Sequence, residues 1–165
     1  LLVGMVGAGL SGLVIGSFES ALEQAVVLAS FIPVVMAMAG NAGIQSAAIA
    51  VQGLASGEVW TSDVMRRLGK ELSVALINGV VLALVLGATV ALLPVAEADV
   101  VELAMTAGLS LLLVIILATC IGTTVPLLLH RFGVDPAIAT GPFITTSNDI
   151  IGLAIFFLIA TLLYL

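Results

Sequence analysis

The sequence predicts an all-α polytopic membrane protein with five transmembrane helices. Three observations predict it. Hydrophobic residues make up 62% of the 165-residue chain and charged ones 8%, and the mean hydropathy is +1.36, outside the range of soluble domains. The charges collect in short connections between long apolar runs. The sign of those connections alternates: Glu19 and Glu23 follow the first run, Arg66, Arg67 and Lys70 the second, Glu97, Asp99 and Glu102 the third, and Arg131 the fourth. Basic connections face the cytoplasm, so an odd number of crossings with the N-terminus inside and the C-terminus outside satisfies the pattern. Crossings of about 20–25 residues fill the whole chain, residues 1–165, as a single transmembrane domain without a soluble regulatory part.

The first span, residues 1–18, is glycine-rich, and Gly12 and Gly16 form a GxxxG pair that suits close helix packing. The second, residues 24–56, belongs to an uncharged run too long for one straight crossing, so a kink, tilt or projection is expected. Pro33 and the segment Gly40, Asn41, Ala42, Gly43 are the candidate irregular points. Asn41, Gln45 and Gln52 share one helical face, a polar stripe that suits either interhelical amide bonding or a water-facing wall. Residues 56–71 read as an aqueous loop with a short amphipathic piece. Spans at 72–94 and 103–129 follow, the latter carrying Pro126 near its end. Asp135 and Pro136 supply an N-cap acid and a first-turn proline for the fifth span, residues 136–165. Trp60 and Tyr164 suit the membrane interface.

That fifth span holds one charge. Any stretch of about 20 residues within it contains Asp149, so the acid cannot leave the bilayer core by sliding the helix. An Asp near a helix centre costs roughly 2.5–3.5 kcal/mol even on lenient insertion scales, and such groups face bundle interiors or water-filled paths. Pro142, Thr145, Thr146 and Gly152 share its face, while Ile150, Phe157 and Leu158 point elsewhere. Two readings follow: the wall of a cation path, or a buried acid hydrogen-bonded for packing.

Composition excludes other classes. Four basic residues cannot neutralise a nucleic-acid backbone, whereas a net charge of −6 draws cations to the mouths of a path. Cys120 is alone within an apolar span, and His130 stands at a helix end beside Arg131. No HExxH, GxSxG or Walker-type pattern occurs, which argues against an enzyme. A lone intramembrane acid makes more sense when two-fold symmetry doubles it, placing two carboxylates on a shared path. Two carboxylates with retained water suit a divalent cation, Mg²⁺ by modest preference, because Mg²⁺ dehydrates reluctantly.

Residues 33–59, PVVMAMAGNAGIQSAAIAVQGLASGEV, and residues 133–152, GVDPAIATGPFITTSNDIIG, resemble the two signature regions of the MgtE-type magnesium channels, whose membrane domain is shared with eukaryotic solute-carrier relatives. The resemblance implies a homodimer with five helices per subunit in the cell membrane, conducting Mg²⁺ through a pore lined by the second and fifth helices at or near the subunit interface. It implies Asp149 as the ion ligand, Gly40, Asn41, Gly43, Gln45, Pro142, Thr145 and Thr146 as pore-lining, and Asp135 at the cytoplasmic mouth. Mn²⁺ and Co²⁺ are further candidate ions. Family members often have Gly where Ala39 stands, Asn where Ile44 stands and Asn where Gly141 stands, so gating and selectivity need not be identical. They also usually carry a cytoplasmic sensor region with paired CBS modules ahead of the first helix. This chain begins already apolar without one, either as a membrane domain cut from a longer protein or as a member lacking the sensor, and in both cases weaker inhibition by internal Mg²⁺ is the expectation. The alternatives to passive conduction are a Na⁺- or H⁺-coupled Mg²⁺ exchanger and, from another class, a non-transporting membrane scaffold or assembly subunit.

Overall fold

The computed structural model describes residues 2–20, 26–57, 64–92, 99–139 and 141–165. Glu23, Glu58, Trp60, Asp63 and Glu97, to which the sequence assigns loop or interfacial places, lie outside them. Among the described residues five α-helices are bounded at both ends: α1 (Leu2–Ser17), α2 (Ile32–Ala55), α3 (Val64–Leu92), α4 (Val100–Arg131) and α5 (Pro142–Leu163). Val26–Phe31 forms a 3₁₀ turn leading into α2, and Pro136–Ala139 another ahead of α5.

Four of these are long and apolar enough to cross a membrane: Val26–Ala55 taken as one unit, Met65–Leu92, Val100–Arg131 and Pro142–Leu163. The fifth, α1, has 16 residues, about 24 Å at 1.5 Å per residue, short of a hydrocarbon core of about 30 Å.

The helix bounds differ from the sequence reading in ways with local causes. The third helix starts eight residues earlier than expected and takes in Arg66, Arg67 and Lys70, which sequence reading places in a loop. These are good helix formers, Arg67 pairs with Glu71 one turn on at 2.9 Å, and long basic side chains reach water from a membrane-helix end. The fifth starts at Pro142 instead of Pro136. Gly141, at φ 80 and ψ −127, adopts a backbone that L side chains resist, and this breaks the chain direction before Pro142 restarts it. Asp135 therefore caps the 3₁₀ turn, accepting from Ala137 N–H at 2.9 Å, and not α5. The irregular point of the second span is the change from 3₁₀ to α winding at Ile32, with Pro33 in the first turn, where its missing N–H costs nothing. Gly40 to Gly43 are regular helix.

Both ends of α4 are built locally. Asp99 Oδ1 accepts from Val101 N–H at 3.0 Å and Glu102 N–H at 3.2 Å. At the other end His130 and Arg131 oppose the helix dipole, and Gly133, at φ 73, lets Val134 N–H return to Leu129 O at 2.9 Å. We expect Asp99→Ala to lower stability by about 1 kcal/mol, the usual worth of an N-cap side chain, seen as an earlier thermal midpoint in detergent micelles.

The hub is α4, which packs on α2, α3 and α5; α5 also packs on α2, and α1 lies outside against α5. Lipid tails are as apolar as Leu, so helices here associate through fit more than through exclusion from water. Small residues supply that fit. The backbones of Gly122 and Gly43 meet where α4 crosses α2, and a Cβ on Gly108 would stand 3.2 Å from the carbonyl of Ala83 on α3. On α1 the close approach is at Gly7, against Thr146, while Gly12 and Gly16 face open space within the chain. Phe18 stacks on Phe157 at 5.0 Å, which joins the region after α1 to the core around Phe156, Leu111 and Val114. Large apolar side chains left exposed, such as Met5, Leu13, Ile77 and Leu84, cover α1 and α3 with a lipid-compatible surface.

Candidate functional site

Asp149 lies seven residues into α5, about 10 Å along a helix of about 33 Å, so it sits a third of the way through and not at the centre. It is half-buried. Among the described residues none gives its carboxylate a hydrogen bond or an ion pair, and no group of three or more His, Cys, Asp or Glu side chains comes together. The acid hydrogen-bonded for packing therefore finds no partner in the described chain.

What surrounds it follows from the crossing of α2 and α5. A Cβ added at Gly43 would meet Ile144 and Asn148, Asn148 reaches Ala39, and Gly152 abuts Met36. Residue numbers fall on α2 as they rise on α5, so the two helices are antiparallel. Each residue turns the chain by roughly 100°. With Ala39 facing Asn148 across the seam, the next residue on each helix, Gly40 and Asp149, turns to the same side. Nothing lies within 4 Å of where a Gly40 Cβ would stand. Pro142 and Thr145 continue that side toward the start of α5, both at least partly accessible. The Thr145 hydroxyl donates back into its own turn, 3.3 Å from Gly141 O and 3.2 Å from Pro142 O. Beyond Asp149, away from the start of α5, Gly152, Leu153 and Phe156 are buried, and apolar packing closes that face within the single chain.

The remaining predicted positions lie elsewhere. Asn41 and Gln45 are exposed on the far side of α2, where they line a cavity of about 380 Å³ with Ser46, Glu71, Asn78 and Thr119 of α2, α3 and α4. Gly43 is buried beneath Asn148, and Thr146 is turned toward Gly7. Asp135 is exposed on the connection before α5. Gly40, Pro142, Thr145 and Asp149 thus share one side, and Asn41 and Gln45 form a second polar surface.

Sequence reasoning missed Asn148. It is 2% exposed, its Nδ2 donates to the Ala39 carbonyl at 3.3 Å, and its Oδ1 is buried without a partner among the described residues. A signal was present: an amide beside the acid in an apolar helix, where polar side chains bond across helices. It also missed two cavity groups, Glu71, which lies in the stretch read as loop, and Asn78, which lies within the expected third span.

Residues 32–159 match the family model of MgtE, described as a divalent cation transporter. The chain is 38% identical over 161 residues to the magnesium transporter MgtE of Bacillus subtilis, covering 98% of this chain and 34% of that protein. It is 35% identical to the magnesium transporters MgtE of Thermus thermophilus, over 169 residues, and Enterococcus faecalis, over 162. In those two it again spans 34% of their length, with 99% and 98% of this chain covered. Four membrane-length helices among the described residues, an acid on the last of them and matches running through nearly the whole chain agree: this chain belongs to the MgtE family of divalent cation transporters.

Proposed function

We propose that this chain is the membrane-spanning part of a Mg²⁺ channel in the cell membrane, with the N-terminus cytoplasmic and the C-terminus outside. Two copies form the pore, lined by α2 and α5 of each, and Asp149 from both copies holds a largely hydrated ion. The observation that carries this is the Asp149 carboxylate, unpaired among the described residues and turned to the same side as the bare backbone of Gly40. A second copy placed over that side brings a second carboxylate to it. The two acids then act on the ion through its waters, the mode Mg²⁺ favours. Pro142 and Thr145 line the approach from the start of α5 and Asp135 stands at its mouth, while Asn41 and Gln45 belong to the second polar surface, Gly43 lies beneath Asn148 and Thr146 faces Gly7. Mn²⁺ and Co²⁺ are further candidate ions of similar preference for oxygen and water ligands.

Passive conduction is favoured over exchange because Asp149 is the one charged residue of the last span, whereas a proton- or Na⁺-coupled carrier usually has further ionisable groups within the membrane. The test is Mg²⁺ influx into liposomes containing the purified protein. Influx should follow the Mg²⁺ gradient and membrane potential and be unchanged by removing Na⁺ or imposing a Na⁺ gradient. Influx that stops without Na⁺ would establish the coupled exchanger, and protein-containing liposomes no more permeable than empty ones would leave the scaffold reading.

A further inference from the structure

We propose that Asn148 is a positioning residue for ion selection, fixing the separation and register of α2 and α5 beside Asp149; this rests on the pore reading above. Three features meet at this one side chain. Its amide nitrogen bridges from α5 to the Ala39 carbonyl of α2 at 3.3 Å. It fills the notch left by the missing side chain of Gly43, where an added Cβ would collide with it and would stand 2.9 Å from Ile144 Cγ2. Gly43 is held from behind, its carbonyl against Gly122 of α4. Asn148 is therefore clamped to a piece of α2 that the hub helix already holds in place, with Gly40 and Asp149 the next residues on either side of the clamp.

A merely space-filling role does not account for the chemistry. Asn148 Oδ1 is buried without a partner among the described residues, an arrangement unfavourable for stability compared with an apolar side chain of similar size. Buried polar groups of that kind are best attested as devices that fix register. Register matters here because discrimination between Mg²⁺ and Ca²⁺ turns on cavity size, ligand number and rigidity. Mg²⁺ keeps its waters and accepts carboxylates at fixed distance, whereas Ca²⁺ takes six to eight oxygens in flexible arrangements. A looser α2–α5 seam lets Thr145 and backbone oxygens swing toward the ion, and Ca²⁺ gains more from that than Mg²⁺.

The experiment measures Mg²⁺ and Ca²⁺ influx in liposomes at matched protein content for wild type, Asn148→Leu, Gly43→Ala and Asp149→Asn. Asn148→Leu keeps the branched shape, with bulkier methyl ends, and removes the donor; Gly43→Ala keeps Asn148 and pushes it from its notch. The Mg²⁺:Ca²⁺ flux ratio should fall about fivefold in both, the population factor of one buried hydrogen bond. If Asn148→Leu does not reach the membrane folded, Gly43→Ala decides alone. Equal falls of both fluxes at an unchanged ratio would reduce Asn148 to packing and overturn the proposal. If Asp149→Asn abolishes flux while the ratio holds in the other variants, only this inference fails. If Asp149→Asn conducts as wild type does, the pore reading fails and takes this one with it.

Discussion

If the proposed dimeric pore holds, replacing Asp149 by Asn should reduce Mg²⁺ influx at least about a hundredfold while leaving the amount of folded protein and of dimer unchanged. The change preserves size and removes one negative charge per copy, so it isolates the charge from the packing. Two unit charges about 4 Å apart interact by about 4 kcal/mol at an effective dielectric near 20. Water between the ion and the carboxylate in the proposed pore and the half-exposed setting of Asp149 reduce that figure, but the ion is doubly charged and in the proposed dimer two copies lose their acid together. A net loss of about 3 kcal/mol corresponds to the hundredfold. Asp149→Ala should be at least as damaging, and Asp149→Glu, which moves the charge by one methylene, should fall between. The scaffold reading makes the opposite forecast: dimer content drops and there is no flux to lose. Native mass spectrometry of the detergent-solubilised variants, run beside the flux assay, separates the two.

Much of this was legible from the chain. Period and hydropathy locate the helices because a membrane helix must satisfy all its backbone groups internally, leaving few alternatives for an apolar run of that length. A carboxylate such as Asp149 is conspicuous because nothing else in its span is charged. Boundaries were less legible. Arg66, Arg67 and Lys70 look like loop by charge, yet their propensity is helical and their side chains reach past the interface, so charge alone gave a third helix that starts too late. Pro136 is a good helix opener in isolation. The competing signal, Gly141 before Pro142, lay downstream, and φ 80 at that glycine is what separates the 3₁₀ turn from α5. Which face of α2 meets α5 could not be read from its polar stripe. Asn41, Gln45 and Gln52 share a face by spacing, but the helix turns Ala39 and Gly43 to α5 because only small residues admit Asn148 and the backbone of Gly122. In a membrane bundle the small residues, more than the polar ones, record where helices touch.

That rule leads to the second large effect, Gly122→Ala. An added Cβ at Gly122 would run into the Gly43 carbonyl and its neighbouring backbone atoms, none of which is the movable end of a side chain. Relief requires α4 and α2 to separate along the crossing. Overpacking of a tight core typically costs 1–3 kcal/mol, and a backbone-on-backbone collision belongs at about the upper end. The expected result is a thermal midpoint in detergent well below that of wild type and a lower yield of membrane-inserted protein. Gly69→Ala is the matched comparison, since the same methyl group there meets nothing within 4 Å and replaces glycine in a helix interior. It should be neutral or stabilising by up to about 1 kcal/mol. Opposite signs for one chemical change at two glycines would place the effect in the α2–α4 crossing and not in helix propensity. Because Gly43 also seats Asn148, any Gly122→Ala protein that survives should conduct Mg²⁺ less selectively as well. A Gly122→Ala protein as stable as wild type would mean that α2 and α4 do not meet at these two glycines, and the clamp beside Asp149 would lose its support from behind.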